Sequence, residues 1–192
     1  MMKTSDFVLF TLEAFGGEII GKTLLQKRIY FESILTDMDL GYRAWYYGPY
    51  SSEVEDALGR LIALDFVDES VFSYGIYSAE GFEIKQFGFH LTKEGEELVT
   101  IKKERLPRAW KKIGEAAKKI KNAGDPDYNT LSVAAKAYYI LKGERTPLTS
   151  YEIKKTAQGF NWDFGQTQLD KAVKFLENLG LIKEIPTESY AR

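Results

Sequence analysis

Apolar side chains recur along most of this chain at helical spacing, and the stretches between break at glycine, proline or asparagine. Residues 5–15 place them at 7, 8, 11/12 and 15, one side of a helix that Ser5 or Asp6 can cap and Gly16-Gly17 stops. A second helix over 22–36 puts Leu24, Leu25, Ile29, Phe31/Ser33 and Leu35 on its buried side, and Asp37 to Gly41 reads as a turn. The aromatic run Tyr42 to Tyr47 favours extended backbone. Gly48 precedes Pro49, whose ring disfavours a helical conformation there. Ser51 or Ser52 can then cap a helix ending near Leu64, and Ser52 has Glu55 three residues on, the spacing of a capping box. Phe66–Tyr77 and Phe82–Leu91 read as two strands around Ser78-Ala79-Glu80-Gly81. The second alternates at Phe82 and Ile84 and then shifts phase to Phe87, Phe89 and Leu91, which predicts a bulge near Gln86. Leu91-Thr92-Lys93-Glu94-Gly95-Glu96-Glu97-Leu98 returns to a helix capped by Thr92.

The second half reads as helices alone. Pro107 breaks one helix and can open the next, in which Ala109/Trp110, Ile113, Ala116/Ala117 and Ile120 fall on one side. Ala123-Gly124-Asp125-Pro126 ends it and marks a domain boundary. Three more helices follow at 130–141, 149–158 and 164–179. Thr149 with Glu152 forms a second capping-box pair, Asn161-Trp162-Asp163 a turn, and Gly180 a left-handed stop. Leu181 to Ile185 leaves room for one short strand before Pro186.

One pattern occurs twice. With a constant offset, Ala57, Leu61, Leu64 and Glu69 fall on the identical residues Ala172, Leu176, Leu179 and Glu184, while Phe66 and Val67 fall on Leu181 and Ile182. An amphipathic helix, a sharp stop and an apolar strand start is how the third helix of a winged helix-turn-helix enters its wing. Divergent duplication and chance can both produce a match this short. The expected fold is therefore α+β and mostly helical, with tandem winged helix-turn-helix-like modules joined by a basic helix. The expected domains are 1–100 with a two-stranded wing, a linker helix over 101–124, and 125–192 with a truncated wing.

Leu24-Leu25-Gln26-Lys27-Arg28-Ile29-Tyr30-Phe31, followed by Tyr46-Tyr47-Gly48-Pro49-Tyr50-Ser51 and a winged-helix ending, resembles the YwgA-like proteins of bacteria and archaea. The resemblance covers about residues 5–100, and Ala134-Ala135-Lys136-x-Tyr138-Tyr139-Ile140-Leu141 is compatible with the C-terminal part of that family. The chain is more distantly similar to the Panacea antitoxin domain, in which a Leu-x-Lys-x-x-Tyr helix precedes a Tyr-Gly-Pro segment. The first resemblance implies a fold more than an activity, and the second implies binding to a partner protein.

Composition narrows the classes. The 192 residues include no Cys, which excludes disulfides, thiol catalysis and Cys-based zinc sites. No apolar run reaches membrane-spanning length and the N-terminus lacks a signal-peptide core, so the expected location is cytoplasmic. The net charge of −2 is unevenly spread. Residues 1–99 carry 8 basic and 17 acidic side chains, 100–122 carry 9 and 2, and 123–192 carry 9 and 9. The basic segment is a local electrostatic footprint.

Base reading by a helix-turn-helix uses the N-terminal half of its third helix. In the first module that helix offers Ser51, Ser52, Glu53, Glu55, Asp56 and one base, Arg60, which suits a protein contact or a purely structural role better than DNA. In the second module Gln166, Thr167, Gln168, Lys171 and Lys174 suit base edges and phosphates, or are ordinary solvated helix residues. Arg108, Lys111, Lys112, Lys118 and Lys119 of the linker can track phosphates, or can pack against an acidic surface. Tyr47 and Tyr50, with Glu53 and Asp56, are the candidate partner-binding residues; aromatics in such turns also serve simply to hold them against a core. His90, the only histidine, reads as a packed residue of an apolar strand. The clusters Glu53/Glu55/Asp56 and Glu94/Glu96/Glu97 read as solvated helix faces, and neither a nucleophile–base pair nor a phosphate-binding glycine motif is visible. The expectation is a winged-helix transcriptional regulator that contacts DNA, works without catalysis or a cofactor, and forms a homodimer. The alternative is a protein-interaction module, antitoxin-like or adaptor.

Overall fold

A computed structural model describes residues 2–77, 83–124, 126–144 and 147–183, with side chains for all of these except 74–77 and 83–84. Among the described residues the protein is a mostly helical α+β chain of eight helices and one three-stranded antiparallel sheet. In order these are α1 (Thr4–Ala14), β1 (Glu18–Ile20), α2 (Lys22–Leu35), α3 (Ser52–Ala63), β2 (Val67–Tyr77), β3 (Glu83–Leu91), α4 (Lys93–Arg105), α5 (Pro107–Asn122), α6 (Tyr128–Gly143), α7 (Ser150–Gln158) and α8 (Gln166–Asn178). The chain divides into two compact units, residues 1–41 with 51–117, and residues 42–50 with the chain from 118 on.

In the first unit α1 is the hub. Asp6 through Leu12 are all buried, so this helix is covered on every side. It packs against α2, α3, α4 and the sheet. The strand order is β1-β3-β2. Ile19, Phe89, Val67 and Leu91 point into the core, and Glu18, His90 and Asp68 stand side by side on the other face. Thr92 caps α4, its hydroxyl accepting from Gly95 N at 3.0 Å and donating to Asp65 O at 2.6 Å. Gly95 lies against the same corner: a Cβ there would sit 2.0 Å from Phe66 O.

In the second unit α6 packs against α7 and α8. Leu131, Ala134, Ala135, Ile153, Leu169, Ala172 and Leu176 make its core. Thr149 and Glu152 form the expected capping box, with Thr149 N donating to Glu152 Oε2 at 2.8 Å. The segment Tyr42–Tyr50, although it lies between α2 and α3 in sequence, is a small hairpin of this second unit. Arg43 bridges Tyr50, and Trp45 and Gly48 exchange backbone hydrogen bonds of 3.2 and 3.0 Å across Tyr46-Tyr47.

The helix stop of the repeated pattern has the same form in both places, while its strand start does not, since Val67 opens β2 and Leu181 to Lys183 form no strand. Asp65, at φ 57°, and Gly180, at φ 71°, occupy equivalent left-handed positions. Phe66 N donates to Leu61 O and Leu181 N to Leu176 O, each at 3.0 Å. Both helices thus end in the six-to-one hydrogen bond of a Schellman stop.

Several local expectations are corrected. Lys3, not Ser5 or Asp6, is the N-cap of α1; Asp6 lies in the first turn and its Oδ2 accepts from Lys3 N at 2.9 Å. Ser51 alone caps α3, accepting from Val54 N at 3.1 Å, and Ser52 is the first helical residue, so Ser52 and Glu55 form no box; Glu55 is ion-paired with Lys22. Tyr42 to Trp45 forms one arm of the hairpin, bridged at Arg43 to Tyr50, and only Tyr46-Tyr47 departs from the expected extended run, as the two-residue turn that Trp45 and Gly48 close. Gln86 pairs in register with Phe72, and the irregularity falls between Ser73 and Tyr77 of β2, around Gly75. His90 is not packed: alternation turns Phe89 and Leu91 inward and His90 outward, where Nε2 lies 3.3 Å from Asp68 Oδ2. Leu181 to Lys183 form no strand, and Glu184-Ile185, like the turn at 78–81, Phe82 and Asp125, lie outside the described residues.

Candidate nucleic-acid interface

The helix α5 separates its side chains cleanly. Ile113, Ala116, Ala117 and Ile120 are buried, and Arg108, Lys111, Lys112, Lys118 and Lys119 are exposed. At the helical repeat these five cations fall within about 120° of the circumference. Glu115 is the one carboxylate among them, and it lies 4.0 Å from Lys111 with both side chains largely in water. Such a pair neutralises little. Arg108, Lys111 and Lys112 belong to the first unit, Lys118 and Lys119 to the second. Pro107 opens the helix, where its missing N–H costs nothing. In the first unit Trp110 anchors it, its ring 5.5 Å from Phe10 and its face 4.4 Å from the Lys103 ammonium. Lys103 also pairs with Glu13, and Lys102 lies 2.6 Å from the buried Asp6 carboxylate. Lys102 and Lys103 of α4 are therefore committed to α1.

On α8 the candidates divide. Gln168 is occupied by the helix start, its Oε1 accepting from Gly165 N at 2.8 Å. Gln166 Nε2 donates to Asp170 Oδ1 at 2.8 Å. Thr167, Lys171 and Lys174 are exposed, but Asp170 and Glu177 share that face. Lys171 also faces Asp127, the N-cap of α6. The Asp127 carboxyl is held below the usual carboxylate range by hydrogen bonds from the Thr130 backbone and side chain, with the Lys171 charge adding to this. Spacing alone could not reveal these local bonds, because they depend on rotamers at the helix start.

The hairpin in the second unit carries the exposed aromatics. Trp45, Tyr46 and Tyr47 are 64%, 69% and 59% exposed. Their backbone is pinned from behind: Trp162 Nε1 donates to Trp45 O at 2.7 Å, Ala44 N to Tyr139 Oη at 3.2 Å and Ser132 Oγ to Tyr47 O at 3.4 Å. Trp162 is buried and stacks on Phe160 with ring centres 4.7 Å apart. Tyr50 is half-buried and stacked with Trp45 at 6.2 Å, so of the two candidate tyrosines only Tyr47 is open. Trp45 is not among the candidates that the sequence pattern singles out, although the aromatic run is the signal that points to it. Burial lowers the Lys136 ammonium below its usual range, partly offset by Asp163, and raises the Tyr138 hydroxyl above its own.

No protein-family model matches this chain, and no curated protein matches it.

The acidic candidates Glu53 and Asp56 lie exposed on α3, in the first unit. Tyr47 and Tyr50 lie in the second, so the four fall in two groups. Among the described residues no His/Cys/Asp/Glu group has metal-binding geometry, and no helix is long and apolar enough to cross a membrane.

Proposed function

We propose that the protein is a nucleic-acid-binding regulator built on two winged-helix-like units, and that the cationic face of α5 is its phosphate-binding element. The single observation that carries this reading is the α5 stripe: five exposed cations on one face, one weakly paired carboxylate, and an apolar opposite face. Such a stripe tracks phosphates without regard to sequence, and each neutralised phosphate steepens the salt dependence. The element order α1-β1-α2-α3-β2-β3 of the first unit and the matched helix stops of α3 and α8 support the winged-helix reading. Thr167, Lys171 and Lys174 of α8 are the side chains open to a groove; Gln166 and Gln168 reach one only by giving up the bonds they hold. Fold by itself does not make a regulator.

The test is fluorescence anisotropy of a labelled duplex across a salt series. Charge reversal at Lys171 and Lys174 should weaken binding several-fold, and reversal at Lys112 and Lys119 should weaken it and flatten the salt slope. Affinity unchanged by both pairs would refute the assignment.

A second reading has its own support. Glu53 and Asp56 stand exposed near the start of α3, where they repel phosphate and suit a basic protein surface. A copurifying basic partner that no longer binds after Glu53→Lys would favour it, in line with the distant likeness to antitoxin domains.

A further inference from the structure

Three adjacent large aromatics stand mostly in water at the tip of the hairpin, and the fold buries little of their rings. A two-residue turn is normally filled by Gly, Asn, Asp or Ser, which meet its backbone needs and stay solvated. Here Tyr46 and Tyr47 occupy it, with Gly48 at φ 104° completing the reversal. Tyr46 and Tyr47 meet edge to face at 4.8 Å, which orders the rings relative to each other without burying them. Three hydrogen bonds hold the backbone beneath them, so presenting these rings to a ligand requires little further ordering.

The charge of the surrounding unit selects the ligand. Residues 42–50 and 118–192 hold 13 Lys+Arg and 9 Asp+Glu, net +4; the remaining residues hold 13 and 19, net −6, and together these give the −2 of the whole chain. Arg43 stands exposed in the hairpin itself. Flat exposed rings on a cationic unit match a polyanion that carries flat rings.

We propose that Trp45, Tyr46 and Tyr47 form a stacking platform for unpaired bases, so that the protein prefers single-stranded or locally melted nucleic acid to an intact duplex. This inference rests on the nucleic-acid reading above and specifies the form of the ligand. Stacked bases supply sequence-tolerant affinity, because every base has a π face, and the cations of the same unit hold the backbone. An intact duplex hides its bases from such a platform.

The full-length protein is titrated into labelled oligothymidylate and into a labelled duplex at equal ionic strength. The platform predicts tighter binding of the single strand. It also predicts quenching of tryptophan emission that is lost in Trp45→Phe, which separates Trp45 from the half-buried Trp110 and the buried Trp162. Trp45→Ala, and Tyr46→Ala with Tyr47→Ala, should each weaken single-strand binding by about tenfold and leave duplex binding unchanged, while Trp45→Phe restores most of the loss. These side chains are exposed and the pinning bonds use backbone atoms, so thermal melts of the variants should match the parent. Duplex binding with no single-strand preference, and no effect of the aromatic variants, overturns the platform and leaves the regulator standing. No binding to either nucleic acid overturns both. Variant-sensitive binding of polyglutamate in place of oligothymidylate overturns the platform in favour of an acidic polypeptide.

Discussion

At the scale of single residues, a few side chains fix corners that helix and strand propensity leave open. Gly95 is one. The corner where α3 enters β2 lies against the first turn of α4, and Thr92 stitches the two together. With 2.0 Å between a Cβ and Phe66 O, Gly95→Ala forces the backbone apart. We expect a loss of about 3 kcal/mol, read from urea melts; a loss below about 1 kcal/mol would show that the corner gives way freely. Asp127 is a second. Its carboxyl is more acidic in the folded chain than the unfolded value of about 3.9. Its stabilising contribution is therefore complete above that value and is lost as pH falls through the lower folded value. Asp127→Asn should destabilise at pH 7 and cost progressively less in melts taken below about pH 4. A difference that stays constant from pH 7 to pH 2 would contradict this.

At the scale of elements, much of the chain was legible because its pattern is periodic and punctuated. The amphipathic spacing of α5, Pro107 at its start, the Thr149–Glu152 box and Gly180 at φ 71° all follow from local chemistry. Expectations failed where a local rotamer or a tertiary partner took a residue away. Ser51 rather than Ser52 caps α3 and leaves Ser52 and Glu55 without a box, Gln168 turns back to cap α8, and β1 is too short to show any alternation. The membership of Tyr42–Tyr50 in the second unit was invisible for the same reason. It depends on Trp162, Tyr139 and Ser132, about a hundred residues away. The repeat makes a prediction of its own. Asp65 and Gly180 hold the same left-handed position, so Asp65→Gly should stabilise by about 0.5 kcal/mol and Gly180→Ala should destabilise by about 1 kcal/mol. Thermal melts check both signs, and a like sign for the two would mean that the helix stops are not equivalent.

At the scale of the whole molecule, the charge division organises the functional account. The first unit is net negative and its α3 exposes carboxylates, whereas the second is net positive and exposes aromatics. A mildly acidic protein can still bind nucleic acid when its cations are gathered on one face, because binding responds to local potential rather than to the total. The α5 stripe is that gathering. Its side chains are exposed and stand clear of the core, so charge changes there should alter binding without altering stability.

The most direct test is therefore the salt dependence of nucleic-acid affinity for the parent and for Lys111→Glu/Lys112→Glu/Lys118→Glu/Lys119→Glu. Anisotropy is measured over the same series, with thermal melts to confirm folding. The account predicts steep weakening with salt for the parent. The variant's logarithmic slope should be shallower by about 0.7 to 0.9 for each phosphate that is no longer neutralised. Parent binding that is flat with salt, or a folded variant with the parent's slope and affinity, would contradict it.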